Sequence, residues 1–430
     1  MNKIFNPPAA IWDQILKRPT STFQDIERSA QAVFADVQAN GDAAISKYTS
    51  LFDGAVLANF EVSDNEIQEA VASVSDELKQ AILVAKSNIE KFHIAQQTTK
   101  VEVETTNGVL CWQEKRAIQK VGLYIPGGNA PLFSTVLMLA LPAKIAGCSE
   151  IILCSPPNKE GKINPAILYA ANLCGVTKIF KVGGMQAIAG LTFGTSLMPK
   201  VYKIFGPGNQ YVTVAKQIAC QFGVAIDMPA GPSELLIFAD DSADASFVAA
   251  DLLSQAEHGT DSQTILVTTS KVLLADVESQ VYLQLNNLPK KDNAEQSIKN
   301  SKLILVENDT TALALINEYA PEHFIICSEN ENYFIDNIQN AGSTFVGNYT
   351  PESAGDYASG TNHTLPTNGF SKSYSGVNLD SFLKIMSFQK ISAAGIQNIG
   401  KAIEIMADAE GLFAHKNAVS LRLESLENKN

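Results

Sequence analysis

Short apolar runs that end in glycine or proline and lead into helical stretches recur along the middle of this chain. Four of these runs lie at residues 121–126, 150–154, 178–182 and 202–205. A parallel strand is buried on both faces, so it reads as a nearly continuous apolar run, and a helical crossover follows it. The pattern therefore predicts repeated strand–turn–helix units and a Rossmann-like parallel sheet.

A second series of apolar runs lies at residues 235–238, 264–267, 303–306 and 324–327, and it predicts a second unit of the same kind. Residues 101–120 alternate like strands, and two helical stretches precede them. We expect these N-terminal helices to pack with the second unit. The predicted organisation is an arm with one short helix (1–22), a larger α/β domain (23–123 plus 235–377), an inserted α/β domain (124–234) and a helical tail (378–430).

Bulk composition limits the class of protein. The chain has 430 residues and a net charge of −13, which argues against nucleic acid or an anionic membrane surface as a partner. No apolar stretch approaches the ~18 residues that a membrane helix needs, and the start has no apolar signal-peptide core. Six cysteines without close pairing are typical of buried thiols in a reducing compartment, so we expect a cytoplasmic protein.

Four polar residues in the C-terminal half have the chemistry of metal ligands. Gln255 and His258 are three apart near the end of a predicted helix, so their side chains point the same way. Asp356 lies in a polar loop, and His415 lies near the chain end. If the fold brings them together, they would form a mixed nitrogen and oxygen set suited to zinc, although their spacing is too long for the sequence alone to show this. The ordinary alternative for the Gln255–His258 pair is a solvated helix end.

Two further patterns indicate chemistry. Glu322 and His323 are adjacent at the start of a predicted strand, and such a pair suits proton shuttling near neutral pH. A salt bridge at a helix end is the alternative interpretation. The glycine turns of the 124–234 region favour a nucleotide or another anionic ligand at the carboxyl ends of the strands, although each turn alone could be structural.

The chain resembles the histidinol dehydrogenase family over nearly its whole length. The motifs that carry the resemblance are VGLYIPGG at 121–128, GPGN at 206–209, DMPAGPSE at 227–234, QAEHG at 255–259, PEH at 321–323, GDYASG at 355–360 and EGLFAH at 410–415. The resemblance implies oxidation of L-histidinol to L-histidine in two NAD-dependent steps, through an aldehyde that stays bound. These are the last steps of histidine biosynthesis.

The resemblance also implies roles for individual residues. One zinc ion per subunit would be bound by Gln255, His258, Asp356 and His415 and would orient the substrate. Substrate contacts would fall on these ligands and on Ser233, His323, His363 and Glu410. The residues that touch NAD would be Tyr124, Gln186 and Asn209. His323 would act as the base and Glu322 would activate water for the aldehyde step.

The family further implies an aldehyde-dehydrogenase-like architecture, with 124–234 as the NAD-binding domain. It implies a homodimer with shared active sites, in which the tail carries Glu410 and His415 into the partner subunit. Two departures bear on NAD: Met185 stands where a smaller residue is expected, and the segment 210–226 is short.

Other functions stay open at this point. A related amino alcohol or aldehyde is an alternative substrate. An aldehyde dehydrogenase that uses a thiol is a rival enzyme, and it would depend on a residue such as Cys111, Cys148 or Cys154. A nucleotide-binding regulatory protein is the non-enzymatic alternative.

Overall fold

The computed structural model describes residues 1–19, 23–127, 131–229, 231–289 and 291–428. These residues form two compact units. The first unit contains Met1–Gln96 and Ile118–Phe382, and the second contains Gln97–Ala117 and Leu383–Asn430. In the part of the chain that is described, no helix is both long and apolar enough to cross a membrane.

The strands in chain order are β1 (Asn2–Phe5), β2 (Glu102–Thr106), β3 (Val109–Ala117), β4 (Lys120–Tyr124), β5 (Glu150–Ser155), β6 (Lys178–Lys181), β7 (Lys203–Phe205), β8 (Ala225–Ile226), β9 (Glu234–Ala239), β10 (Gln263–Thr268), β11 (Lys302–Leu305), β12 (His323–Cys327), β13 (Ser343–Val346) and β14 (Leu383–Ile391).

The helices are α1 (Trp12–Ile15), α2 (Phe23–Asn40), α3 (Asp42–Tyr48), α4 (Asp64–Ser73), α5 (Asp76–Ile94), α6 (Phe133–Ala146), α7 (Pro165–Cys174), α8 (Gly184–Phe193), α9 (Gln210–Gln221), α10 (Ala245–Ala256), α11 (Lys271–Leu285), α12 (Lys291–Asn300), α13 (Asp309–Tyr319), α14 (Glu331–Asn337), α15 (Glu352–Tyr357), α16 (Ala393–Ala409) and α17 (Phe413–Glu427).

The first unit is built on two parallel sheets, as the apolar runs predicted. The five-stranded sheet has the order β6-β5-β4-β7-β8, and the six-stranded sheet has the order β1-β11-β10-β9-β12-β13. Every residue of the central strands β9, β10 and β12 is buried. The predicted fold class, two Rossmann-like parallel sheets, is therefore confirmed.

The N-terminal region differs from its prediction in two ways. Residues 2–5 are a strand rather than irregular arm, because β1 pairs in parallel with β11 and forms one edge of the six-stranded sheet. The helices α2 and α5 pack on helices that flank the five-stranded sheet, α2 on α8 and α9 and α5 on α6, and not with the six-stranded sheet as expected. Phe34 of α2 lies in one apolar cluster with Ile188 and Ile204, and Ile89 of α5 lies in another with Leu123. Helical periodicity identifies the buried face of a helix but not the sheet that covers it.

The second unit is a small antiparallel sheet with two helices. β3 pairs with β2 on one side and with β14 on the other. Trp112 of β3 stacks on Phe388 of β14, with ring centroids 5.2 Å apart. The predicted tail is thus helical only after residue 392, since residues 383–391 form a strand. This strand was missed because most of its residues are exposed and it has little apolar alternation.

Candidate active site

The carboxyl end of α10 provides the first part of the site. Gln255 is fully buried in the last turn, and neither polar atom of its side chain meets a hydrogen-bond partner among the described residues. His258 follows two residues after the helix ends and is exposed. Burying an amide without a hydrogen-bond partner costs free energy, so the side chain of Gln255 is a candidate to bind a ligand or a metal ion.

Helix α15 brings carboxylates to the same place. One ligand atom from each of His258, Glu352 and Asp356 lies within 4.8 Å of the others, a spacing that suits a metal ion. Glu352 and Asp356 are four residues apart and share a face of α15. Burial, followed by the charges of Asp356 and Glu322, raises the pKa of Glu352 well above its usual value. A bound cation would relieve this repulsion.

Sequence reasoning did not identify Glu352. The available signal was a carboxylate one helical turn before a proposed ligand, directly after Pro351. The structure brings ligand atoms of two predicted ligands, His258 and Asp356, within 4.8 Å of each other, and the third, Gln255, lies three residues before His258 at the end of α10. Glu410 and His415 belong to the second unit, where both are exposed beside the turn between α16 and α17. Their predicted roles stay predictions.

His323 is the first residue of β12 and is buried beside β9. Its Nδ1 lies 3.3 Å from the carbonyl oxygen of Glu234, and its Nε2 is buried without a hydrogen-bond partner in the described chain. Because a carbonyl oxygen only accepts, Nδ1 carries the hydrogen and Nε2 keeps its lone pair. Burial lowers the pKa of His323 to about 4, so the ring is neutral at physiological pH. Nε2 lies 3.8 Å from a carboxylate oxygen of Asp356.

Glu322 contacts the backbone of the same residue, Glu234, as His323 does. Its Oε2 accepts a hydrogen bond of 2.9 Å from the backbone N–H of Glu234, and it lies 3.6 Å from Nδ1 of His323. Burial raises the pKa of Glu322 well above its usual value. The pair is therefore a buried acid beside a neutral imidazole and not a solvent-exposed salt bridge.

His363 and Ser233 complete the part of the predicted substrate site that lies in the first unit. Nδ1 of His363 is 2.9 Å from the carbonyl oxygen of Asp356, and Nε2 is 3.0 Å from the hydroxyl of Thr135. Burial lowers the pKa of His363. Ser233 is half-buried directly before β9, next to the Glu234 peptide that holds the Glu322–His323 pair.

The three residues predicted to touch NAD follow strands of the five-stranded sheet, where ligands of parallel sheets bind. The Tyr124 hydroxyl, at the end of β4, accepts a hydrogen bond of 3.1 Å from the N–H of Gly184. Gln186 lies in the first turn of α8, and its buried Oε1 has no partner in the described residues. Asn209 caps α9 by accepting the N–H of Val212 at 3.1 Å. Gly128 and Asn129 of the first glycine turn lie outside the described residues.

The glycine turn after β7, at Gly206, is held by close contact with the backbone of Tyr124. Gly206 has a φ of 128°, and a side chain there would place Cβ 2.1 Å from the Tyr124 carbonyl oxygen. Lys216 and Asp227 hold this turn, since Lys216 donates to the Gly206 carbonyl at 2.8 Å and Asp227 accepts the Gly206 N–H at 2.8 Å. The turn before Asn209 is therefore rigid.

Comparison with known proteins decides the family. The histidinol dehydrogenase family model matches residues 16–423. A histidinol dehydrogenase from Bacteroides fragilis (strain YCH46) is 57% identical over 426 residues, which is 99% of this chain and 100% of the relative. The chain belongs to the histidinol dehydrogenase family.

Solved structures support the same family and the predicted architecture. A crystal structure of histidinol dehydrogenase from Elizabethkingia anophelis is 56% identical, with a TM-score of 0.97 and 99% of both chains covered. An acetylating aldehyde dehydrogenase from Geobacillus thermoglucosidasius has a TM-score of 0.50 at 14% identity, covering 88% of this chain and 93% of that chain. The second likeness shows only that the fold resembles that of aldehyde dehydrogenases.

Within this histidinol dehydrogenase family member, the cysteines argue against a thiol mechanism. Burial raises the pKa of Cys148 to about 12, and it raises the pKa of the fully buried Cys154 further. Activation of a thiol needs the opposite shift. Cys111 is half-buried in the small sheet of the second unit. The rival thiol enzyme therefore finds no support at these positions.

The structure shows where the side chain of Met185, the unexpectedly large residue before Gln186, is placed. Met185 is buried in the apolar cluster that contains Ile188 and Val212, so its larger side chain fills core space.

Asp53, which sequence reasoning did not identify, accepts a hydrogen bond of 3.2 Å from Gln186 Nε2. Burial raises the pKa of Asp53 to about 6. No pattern in the sequence linked residue 53 to the glycine turn at 183–184.

Proposed function

We propose that this protein catalyses the NAD-dependent oxidation of L-histidinol to L-histidine through bound L-histidinaldehyde, as the last steps of histidine biosynthesis. Family membership supports the reaction. The observation that carries the mechanism is the buried Nε2 of His323, which has no hydrogen-bond partner among the described residues and lies 3.8 Å from an Asp356 carboxylate oxygen. Glu322 lies 3.6 Å from the other ring nitrogen, Nδ1. An imidazole lone pair in this setting is suited to accept a substrate proton.

The donor set fits a zinc ion. Gln255 offers an oxygen with no other partner, His258 offers a nitrogen, and Asp356 offers a carboxylate, which are ligand types that zinc accepts. We propose that these three residues bind zinc together with His415 of the partner subunit. When bound, zinc would hold the imidazole and amino nitrogens of the substrate, and NAD would accept the hydride at each step.

In the first oxidation, Nε2 of His323 takes the hydroxyl proton while the substrate carbon gives up its hydride. The Glu234 carbonyl fixes the required tautomer, because it accepts the hydrogen on Nδ1. Burial keeps the ring neutral and ready to accept this proton. His323 can therefore accept the proton directly, without first passing a proton to another residue.

In the second oxidation, the Glu322 carboxylate takes a proton from water as the water oxygen bonds to the aldehyde carbon. His323 returns the proton from the first step to the aldehyde oxygen as the hydrate forms, and it then removes a proton from a hydroxyl of the hydrate as the second hydride leaves to NAD. The N–H of Glu234 supports the carboxylate form of Glu322, and burial makes that carboxylate a stronger base.

The remaining contacts are proposed from the family. Ser233, His363 and Glu410 would position the substrate beside the zinc ligands, with Glu410 supplied by the partner subunit. Tyr124, Gln186 and Asn209 would touch NAD at the carboxyl ends of β4, β6 and β7. A homodimer in the cytoplasm is the proposed working form.

The test separates the two steps by rapid mixing. Glu322→Gln should keep the L-histidinol step near the wild-type rate and slow the L-histidinaldehyde step by about 100-fold or more. His323→Asn should slow both steps. Glu329→Gln, which changes an exposed carboxylate just past the other end of β12, is the control. A Glu322→Gln variant with a slow alcohol step and an intact aldehyde step would refute the assignment.

A further inference from the structure

Arg18, in the N-terminal arm, is held against the start of β9 by a buried ion pair. Its Nε lies 2.9 Å from both carboxylate oxygens of Glu234, and its Nη2 lies 2.5 Å from Oε2. Nη2 also donates to the Tyr319 carbonyl at 2.7 Å, and the guanidinium lies 4.1 Å from the Tyr319 ring centroid. The side chains of Arg18 and Glu234 are only 17% and 2% exposed.

The backbone of Glu234 holds both members of the proposed catalytic pair. Its N–H donates to Glu322, and its carbonyl accepts from Nδ1 of His323. These two bonds orient a carboxylate and fix an imidazole tautomer from a single residue. A small rotation of the residue 234 backbone would disturb both groups at once.

The side chain of Glu234 helps to hold its backbone in place, because the carboxylate is bound by groups from two other parts of the chain. Its carboxylate also accepts a hydrogen bond from the N–H of Asn368, five residues after His363. The carboxylate is therefore clamped between the arm and the loop that follows the site. Without the guanidinium, a buried carboxylate would lose its charged partner and would be driven toward solvent or toward a new conformation.

We propose that Arg18 is a positioning residue for the Glu322–His323 pair and acts through Glu234. The proposal rests on the catalytic roles proposed above for that pair. Arg18 touches neither of the two catalytic groups, and its fork-shaped guanidinium is required because it contacts both oxygens of one carboxylate. Geometry at a catalytic site must be held within about 0.5 Å, so loss of such support lowers turnover more than binding.

The experiment compares Arg18→Gln with Lys17→Gln in the full-length enzyme. Lys17 is the exposed neighbour, so its variant removes one positive charge without removing the ion pair. We expect Arg18→Gln to lower kcat for L-histidinol by about 10–100-fold with KM within about twofold and with unchanged zinc content. Lys17→Gln should match the wild type. Arg18→Lys should be intermediate, because it keeps the charge and loses the fork.

Two further variants separate positioning from stability. Arg18→Gln combined with Glu234→Gln removes the unpaired buried carboxylate, so thermal stability should recover while kcat stays low. Guanidinium ion at about 10 mM should restore part of the kcat lost in Arg18→Ala and should leave the kcat of Lys17→Gln unchanged. If the double variant regained wild-type kcat, or if Arg18→Gln and Arg18→Lys both matched Lys17→Gln, the positioning role would be refuted.

The Glu322→Gln and His323→Asn variants identify which proposal has failed. If those variants kept wild-type rates, the roles of the pair would be wrong whatever Arg18 does. If they lost activity while the Arg18 variants did not, the catalytic assignment would stand and the positioning role of Arg18 would fall.

Discussion

The hydroxyl of Thr135 donates a hydrogen bond of 3.0 Å to Nε2 of His363. The direction is fixed by the other ring nitrogen, because Nδ1 lies 2.9 Å from the Asp356 carbonyl oxygen and must carry the hydrogen. Thr135 lies in α6, which follows the first glycine turn of the five-stranded sheet. The contact therefore connects His363, which is proposed to contact the substrate, to the part of the fold that is proposed to bind NAD.

Thr135→Val should lower the free energy of unfolding by about 1–3 kcal/mol, because it leaves a buried ring nitrogen without its donor. It should also raise KM for L-histidinol, since His363 loses its fixed orientation. Thr135→Ser keeps the hydroxyl and serves as the control in denaturant unfolding and steady-state assays. Equal stability and equal KM in the two variants would contradict this role for the hydroxyl.

Zinc binding tests the composition of the metal site. Asp356→Asn should weaken zinc affinity more than Glu352→Gln, because Asp356 is a proposed ligand and Glu352 is its buried neighbour. For Glu352→Gln we expect a loss of about 10–100-fold, as for a group that supports the ligands. Zinc per chain in equilibrium with a metal buffer is the measurement. Glu257→Gln, an exposed change beside His258, should have no effect.

A larger loss of zinc affinity in Glu352→Gln than in Asp356→Asn would reverse this assignment. Glu352 would then be the ligand, and Asp356 would be its neighbour.

Asp53 should make stability depend on pH. Its pKa is raised by burial from 3.8 to about 6 in the folded protein, so the folded state binds the extra proton. The stability that this group contributes is complete below pH 3.8 and is lost as the pH rises through 6. Asp53→Asn should therefore raise Tm at pH 8 by about 1–2 °C, a small gain because the group is partly exposed.

The gain from Asp53→Asn should shrink as the pH falls toward about 4. Thermal unfolding followed across this range is the measurement, and Asp241→Asn, at an exposed carboxylate, is the control. A gain that stayed constant with pH would show that ionisation of Asp53 is not its cause.

Subunit mixing tests whether His415 acts in the partner's site. His258→Ala and His415→Ala should each be inactive alone. In a mixed dimer, one site would combine an intact His258 with an intact His415 from the other chain. Random exchange should therefore recover about a quarter of wild-type activity. No recovery, with exchange verified by differently tagged chains, would place His415 in the site of its own chain.

The sequence was sufficient to predict the two parallel sheets, and it named two residues, His258 and Asp356, whose ligand atoms the fold brings within 4.8 Å. Apolar runs buried on both faces carry a strong signal. The shared helix face expected for Gln255 and His258 is not formed, because α10 ends at Ala256 and His258 lies beyond it. Packing partners carry no such signal. The helices α2 and α5 were expected to pack with the second α/β unit, but they pack on α8, α9 and α6 beside the five-stranded sheet. The strand β14 was missed because its residues are mostly exposed.

The side-chain contacts that hold the site residues in place could not be predicted from the sequence either. Arg18 and Glu234 are 216 residues apart, and only the folded chain shows that they share a buried ion pair. Asp53 reaches Gln186 across 133 residues. Contacts between side chains so distant in sequence follow from tertiary packing, which no local pattern records.

The ratio of NADH formed to L-histidinol consumed tests the central claim most directly. It should be measured with the native enzyme, after removal of zinc by a chelator and after zinc is restored. We predict about two NADH per L-histidinol, lost on chelation and recovered with zinc. About one NADH per L-histidinol would mean that the aldehyde leaves unoxidised, and an unchanged rate after complete zinc removal would contradict the proposed metal site.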